Sequence, residues 1–463
     1  MNPFRLREIL PLLQNESVYL VGGSVRDFLL NRRSSDFDFI ADGNARPIAE
    51  KVASHLGVRV IRMGKGEKSI FRIMAGKNTL DFSSMAGSSI EDDLKARDFT
   101  INAIAYDLRQ KRFIDVTGGL ADLEKKTIRL ISKEALLSDP LRMLRAFRLA
   151  TVLGFSLHRQ TLRVIRAHSG LLKLAAYERI QAELFKMMET SDSFPYLEEM
   201  CNVGLLQHII PELKPCIGCT QNVYHVFDVF HHITTAYRKL ENILKSYNII
   251  CPSYSDPIED YLNSHRRKVL LKMSILLHDL GKPVCRYKDK GKIRFTGHEK
   301  VSGKLALRIC TRLKMSNHDT YYVRLIVENH SHPLYLFNAH QEKSLKTKGI
   351  NRFLNRYQDD IIGLLVHALA DQRAKTRDSQ LVNSFSRFTE KILKMYFSEV
   401  KPKIITPLIT GHDLIDEFHL STSPIIGKIL REVRNAYLDK KIGSKNEALL
   451  LARELLKQDD NPV

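Results

Sequence analysis

The segment Asp36-Phe37-Asp38-Phe39-Ile40 constrains this chain more than any other. Side chains along a strand alternate between faces, so residues i and i+2 look the same way. The phenylalanines then pack into a core, and both carboxylates project from the opposite face. Two like charges this close repel unless a cation lies between them, and oxygen ligands of this kind suit Mg2+. Taken alone, the pattern reads more readily as an edge strand with solvent-facing aspartates. Its setting argues against that. Ser17–Val21 is a short apolar strand, Gly22-Gly23 breaks it, and Ser24–Leu30 starts a helix. A glycine pair between strand and helix lets backbone N–H groups approach phosphate, and Arg26 in the first helical turn can donate to phosphate oxygens.

Further short strands are expected at 58–62, 71–74 and 79–82, so residues 17–125 read as one mixed sheet with a few helices. Asp81, in Thr-Leu-Asp-Phe-Ser, is the candidate for a third carboxylate. It would complete a two-metal site for in-line attack on a nucleotide α-phosphate. From about residue 128 the pattern turns helical. Apolar-periodic runs follow at 229–246, 267–280, 299–314, 319–330 and 359–375, with a last helical stretch over 384–460.

Charge points to the partner. Lys+Arg total 72 against 52 Asp+Glu, a net charge of +20. A polyanion is the natural partner, because each neutralised phosphate releases a counterion. Six cysteines are too few for a disulfide scaffold, and no apolar run approaches the ~18 residues that would span a bilayer. A cytoplasmic protein without membrane contact is expected.

Two more segments carry chemistry. In Arg97-Asp98-Phe99-Thr100-Ile101-Asn102-Ala103 a cation, an acid and an amide run into what reads as an apolar helix. Arg97 suits a phosphate and Asn102 a ribose hydroxyl. In Asp139-Pro-Leu-Arg142-Met-Leu-Arg145-Ala-Phe-Arg148, arginines every three residues stripe one helix flank. Cytosine and adenine both offer an amine donor beside a ring-nitrogen acceptor. A carboxylate accepts from the amine and a guanidinium donates to the ring nitrogen. Asp139 and Arg142 could thus select C and A with no template, since guanine and uracil would leave both groups unpaired.

These segments resemble the class II tRNA nucleotidyltransferase and bacterial poly(A) polymerase family. The resemblance runs from about Val18 to Glu189, through VGGSVRDFLL, DFDF, EDDLKARDFTINAIAYD, DVTGGLADLEKKTIR, SDPLRMLRAFRLA and YERIQAELFKMM. It implies that Asp36 and Asp38 bind Mg2+, that Gly23, Arg26, Arg97, Arg145 and Arg148 hold the incoming nucleotide triphosphate, and that Asn102 touches its ribose. Asp139 and Arg142 would read the base. Asp115, Gly118 and Gly119 match a flexible motif that repositions between C and A addition. The chain departs from the family at Ser138, where many members have Glu, and after Asp81, where Thr-Phe-Arg is missing. Residues 128–188 hold eight Arg and three Lys against four acids, as a neck gripping a tRNA acceptor stem would.

A histidine-aspartate set lies further on: His225, His231 and His232; His278-Asp279; His298; His330 and His332; and Asp371. Imidazoles and carboxylates from separate helices are the ingredients of a divalent-metal hydrolytic site. The set resembles the HD phosphohydrolase superfamily. By residue match His232, His278, Asp279 and Asp371 would be the ligands, of a divalent transition metal or Mg2+, and His298 and His330 would serve a second ion. Cys216-Ile-Gly-Cys219 has no second pair at zinc-finger spacing and reads as two loop thiols.

The expected architecture is α+β. A polymerase-beta-like nucleotidyltransferase head (1–127, mixed sheet, with Gly22 and Gly23 at its phosphate turn) precedes an all-helical neck (128–190), an HD domain (191–380) and a tail (381–463). The expected activity adds C and/or A to tRNA 3′ ends from CTP and ATP. A poly(A) polymerase is the sibling alternative. A metal-dependent phosphohydrolase with an RNA-binding N-terminal domain is the alternative of another class.

Overall fold

The computed structural model describes residues 8–64, 66, 69–221, 227–402, 406–421 and 423–459. They form two compact units, divided between Pro211 and Glu212.

The first unit is built on a seven-stranded mixed sheet. Its strands are β1 (Val18–Val21), β2 (Asp36–Ala41), β3 (Val60–Met63), β4 (Ile70–Ala75), β5 (Asn78–Ser84), β6 (Ile104–Asp107) and β7 (Arg112–Asp115), in the order β3-β4-β5-β2-β1-β6-β7. β2 runs parallel to β5 and antiparallel to β1. Phe37, Phe39, Phe71, Ile73, Leu80 and Phe82 face one side and are buried, and the helix Ala45–His55 packs on that side. Phe39 stacks on Phe82 in the next strand, ring centroids 4.7 Å apart and planes 11° apart. That stack pins a register in which Asp38 lies level with Asp81.

The segment after Asn102 is not the apolar helix its composition suggested. Thr100–Asn102 is a single 3-10 turn, and Ile104–Asp107 continues as β6. Ile104 and Ala105 are both buried, one on each face, and a run of apolar residues buried on both sides carries no periodicity that separates strand from helix. The rest of the unit is helical. Arg142–Leu153 packs on Tyr177–Met188, and Phe147, Ile180 and Leu184 on these helices are buried. One short parallel pairing, Thr127–Ile128 with Ser156–Leu157, is added to these helices.

The second unit is a helical bundle. Val229–Lys245, Arg267–Leu277, Asn317–Asn329 and Asp360–Lys375 pack on one another, and His298–Arg312 lies against Asn317–Asn329. Nearly every residue of Asp360–Lys375 is buried, which marks it as the central helix. A hairpin, Tyr287–Asp289 with Lys292–Arg294, interrupts the helices. Its turn residues Lys290 and Gly291 both have positive φ, as a two-residue type I′ turn requires. The final helical stretch comprises the helices Ser379–Met395, Gly411–Phe418, Pro424–Leu438 and Lys445–Asp459. Among the described residues, no helix is long and apolar enough to cross a membrane.

Its place in this register makes Phe39 an anchor of both fold and site. Phe39→Ala should lower unfolding free energy by about 3–5 kcal/mol, measured by urea denaturation. A loss below about 1 kcal/mol would show that the aromatic stack does not anchor β2.

Candidate active site and metal centre

The alternation of β2 leaves Asp36 and Asp38 exposed opposite the buried phenylalanines. The Asp38 carboxyl is raised above the ordinary carboxylate range. Protein packed around it is the largest cause, and the neighbouring charges of Asp81 and Asp36 add to it against the pull of Arg97 and Arg145. A cation would relieve this repulsion. The glycine turn backs directly onto Asp38. Gly22 has φ 74°, and a Cβ there would stand 3.2 Å from both Asp38 Oδ2 and Arg97 Nη1. A side chain at residue 22 would therefore be strained and would crowd the carboxylate.

Asp81 lies level with Asp38 on the adjacent strand, but Arg72 on β4 holds it from two nitrogens, Nε to Oδ1 at 2.8 Å and Nη2 to Oδ2 at 2.6 Å. Sequence reasoning did not identify Arg72. Its only signal was a cation alternating with Phe71 and Ile73.

Of the predicted nucleotide-binding residues, Arg26, Asn102 and Arg145 are linked in one network through Asp98. Arg26 donates from Nη1 to Asn102 Oδ1 at 2.7 Å and from Nε and Nη2 to Asp27. Asn102 donates to Asp98 Oδ1 at 3.0 Å, and the other Asp98 oxygen pairs with Arg145 at 2.9 Å. Arg97 pairs with Asp93 at 3.2 Å, and Arg148 with Glu183 at 2.8 Å. Burial lowers the Arg26 pKa below the usual arginine value.

Asp139 and Arg142 sit at the start of the helix Arg142–Leu153, but each has another partner. Asp139 pairs with Arg179 at 2.7 Å, and Arg142 donates to the Ala135 carbonyl at 2.9 Å. Arg179 stands in the YERIQAELFKMM segment and was not singled out in the sequence. Asp115 caps the helix Gly119–Glu124, accepting from the N–H groups of Thr117, Gly119 and Leu120. Gly118 takes a left-handed φ of 79°, and a Cβ on Gly119 would meet the Thr100 carbonyl oxygen at 2.2 Å.

In the second unit the histidines and aspartates converge. His232 Nε2 is 2.9 Å from Asp371 Oδ1 and 3.3 Å from Asp279 Oδ2. His278 Nε2 is 3.2 Å from Asp279 Oδ2, and His298 Nε2 is 3.3 Å from Asp279 Oδ1. His330 Nε2 is 3.8 Å from Asp279 Oδ1. Three overlapping triads could each hold a metal ion: His232/His278/Asp279, His278/His330/Asp371 and Asp279/His298/His330. The donor set fits a metal for a further reason. Nδ1 of His278, His298 and His330 lies 2.8, 2.9 and 2.8 Å from the carbonyls of Ile275, Phe295 and Val327. Bonds of this kind fix the tautomer and aim each Nε2 lone pair inward.

Charge in the cluster is balanced by residues the sequence reading missed. Lys282 pairs with Asp279 at 2.7 Å and Lys375 with Asp371 at 2.6 Å. Burial alone would lower the His278 pKa, but Asp279 and Asp371 outweigh it and raise it to about 9. His330 is pushed down to about 3 by burial and by His278 and His298. His367, also missed, is wholly buried one turn before Asp371 and packs on His278 with ring centroids 5.3 Å apart. Among the described residues, neither of its ring nitrogens has a hydrogen-bond partner. Two predicted neighbours stay outside: exposed His231 pairs with Asp228, and His332 bonds the Tyr357 hydroxyl. His225 lies outside the described residues. Cys216 and Cys219 share a turn, and burial raises both thiols.

The chain matches two families, Poly A polymerase head domain over residues 18–129 and Probable RNA and SrmB-binding site of polymerase A over residues 154–217. It is 32% identical over 458 residues to an A-adding tRNA nucleotidyltransferase of Deinococcus radiodurans, covering 96% of each chain. The chain belongs to the tRNA nucleotidyltransferase family. A CC-adding tRNA nucleotidyltransferase of Synechocystis sp. is 29% identical, over 94% of this chain and 93% of that one. The fold is also that of solved tRNA nucleotidyltransferases. The Thermotoga maritima CCA-adding enzyme complexed with tRNA superposes with a TM-score of 0.62 at 21% identity, over 99% of this chain and 95% of that one. A CCA-adding enzyme in complex with CTP gives 0.64 at 20%, over 99% and 95%.

The histidine-aspartate geometry has a direct consequence. Mn2+ or Ni2+ added to chelator-treated protein should raise the melting temperature, a stabilisation of about 2.7 kcal/mol at a hundredfold excess over Kd. His278→Ala with His330→Ala, which breaks all three triads, should abolish the rise. A rise that survives in that variant would place the bound metal elsewhere.

Proposed function

We propose that this chain adds C and/or A, the nucleotides of the CCA end, to tRNA 3′ ends from CTP and ATP, releasing pyrophosphate. The observation that carries the reading is the pair Asp36 and Asp38 on one open strand face, beside the Gly22–Gly23 turn. Full-length likeness to an A-adding and a CC-adding tRNA nucleotidyltransferase supports tRNA as the acceptor.

Asp36 and Asp38 would hold Mg2+, which when bound neutralises charge on the triphosphate and lowers the pKa of the attacking hydroxyl. The glycine turn lets the backbone approach the phosphates, with Arg97 donating to them. Arg26 fixes Asn102, which positions the ribose. Asp139 and Arg142 exchange their present partners for the Watson–Crick edge of cytosine or adenine. The tRNA 3′-oxygen forms a bond to the α-phosphorus as the bond to the β-phosphate bridging oxygen breaks. Pyrophosphate leaves, and the hydroxyl proton is released to solvent. Arg145 and Arg148, held by Asp98 and Glu183, keep the neck helix oriented to the triphosphate.

We further propose that the second unit is an HD-type phosphohydrolase centre, with His232, His278, Asp279 and Asp371 as ligands of a divalent metal and His298 and His330 serving a second. The converging Nε2 atoms support it. The domain assignment that goes with this reading is a head at 1–127, a neck at 128–190, the HD domain at 191–380 and a tail at 381–463.

The test offers three tRNAs, ending before CCA, after the first C and after CC, with labelled CTP and ATP separately. Asp36→Ala with Asp38→Ala should cut incorporation by about a thousandfold or more, the several kcal/mol a metal supplies. Phosphohydrolysis should persist. Long tails with ATP alone would mean a poly(A) polymerase.

The raised Asp38 pKa sets the acid limb of the rate profile. Asp38 must be ionised to hold a cation, so the transfer rate falls as pH drops through its raised pKa. Asp81→Asn removes one of the charges that raise it, so the limb should move to lower pH. An unmoved limb would exclude Asp38 as the titrating group.

A further inference from the structure

The open face of the head sheet divides at β2. On the β1 side stand the glycine turn and Arg97. On the other side the same face continues across β5, β4 and β3, where the register sets Asp38 level with Asp81, Asp81 with Arg72, and Arg72 with Ile61. Residues level across neighbouring strands share a face, so Ile61, Met63, Ile70 and Met74 lie on the side that carries the carboxylates. They are open to solvent, Ile61 by 50% and Met74 by 51%. Four apolar side chains thus form an uncovered shelf that continues outward from the catalytic carboxylates, with the planar Arg72 guanidinium between shelf and site.

We infer that this shelf holds the unpaired 3′-terminal nucleotides of the acceptor RNA. The inference rests on the nucleotidyl-transfer reading of Asp36 and Asp38. In an in-line displacement the attacking oxygen and the departing pyrophosphate lie on opposite sides of the α-phosphate. The phosphate-holding groups stand on the β1 side, so the attacking hydroxyl enters from the β5 side. The nucleotides that carry it then lie over β5, β4 and β3. Single-stranded ends are held without sequence preference by apolar contact with base faces along a basic track. The strand pair supplies the apolar contact, and the exposed cations Arg59, just before β3, and Lys77, just after β4, flank it. The base-reading pair Asp139 and Arg142 belongs to the neck helix, which leaves this face of the sheet for the acceptor end.

The test uses the full chain and a tRNA lacking its terminal nucleotides. In Ile61→Glu with Met74→Glu, KM for the RNA should rise about tenfold or more, as the loss of a base-stacking contact does, while KM for the nucleotide stays within about twofold. Independently, a 3′-terminal 4-thiouridine on the RNA should crosslink to the 59–78 peptide of the unaltered chain, identified by mass spectrometry. An unmoved RNA KM together with no crosslink overturns the inference. So does a rise confined to the nucleotide KM. A third contrary outcome is a dimer of the unaltered protein that the variants break, seen by light scattering, which would make the shelf a contact between copies. If the unaltered chain incorporates no nucleotide at all, the transferase reading fails, and the shelf with it, a result distinct from the other three.

Discussion

Electrostatic repulsion on the open face of one sheet governs the first unit. Asp36, Asp38 and Asp81 crowd onto two adjacent parallel strands, and the register that crowds them is fixed from the other side by the Phe39–Phe82 stack. Apolar packing on the hidden face thus enforces an arrangement the open face resists. Arg72 relieves one carboxylate by bidentate pairing, and Arg97 lies beside a second. Burial first, and then the charges of Asp81 and Asp36, raise the Asp38 pKa, a repulsion that a cation would relieve. Gly22 suits this turn because its φ is 74° and a Cβ there would crowd Asp38 Oδ2 and Arg97 Nη1 at 3.2 Å.

The second unit meets the same problem in a buried setting. Asp279 and Asp371 are removed from water, where an unpaired charge is costly, and lysines 282 and 375 and the histidines compensate. Backbone carbonyls hold the outer nitrogens of three histidines, so the inner nitrogens have nowhere to turn but toward one another. On β2 the acids face solvent. In the bundle Asp279 and Asp371 are buried beside imidazoles.

Local periodicity made parts of this legible in the sequence. The strict alternation of β2 announced its two faces, and the His278-Asp279 dipeptide flanked by apolar helix pointed to the second cluster. Features that depend on long-range pairing were not legible. Arg72 becomes a partner of Asp81 only once the β4–β5 register is known, and a slip of one residue would send it to the core face. Arg179 reaches Asp139 from a helix forty positions away. β6 was misread because a strand buried on both faces has no period of its own. His367 and Lys375 could have been found, since with Asp371 they fall four residues apart on one helical stripe. A lone histidine inside an apolar helix gives little reason to look.

The most direct test of the account is a crystal soaked with Mn2+ and a non-hydrolysable CTP or ATP analogue, with anomalous scattering recorded at the manganese edge. The account predicts an anomalous peak held by the carboxylates of Asp36 and Asp38, with the triphosphate over the Gly22–Gly23 turn. Manganese confined to the histidine cluster, with the nucleotide bound away from β2, would contradict it.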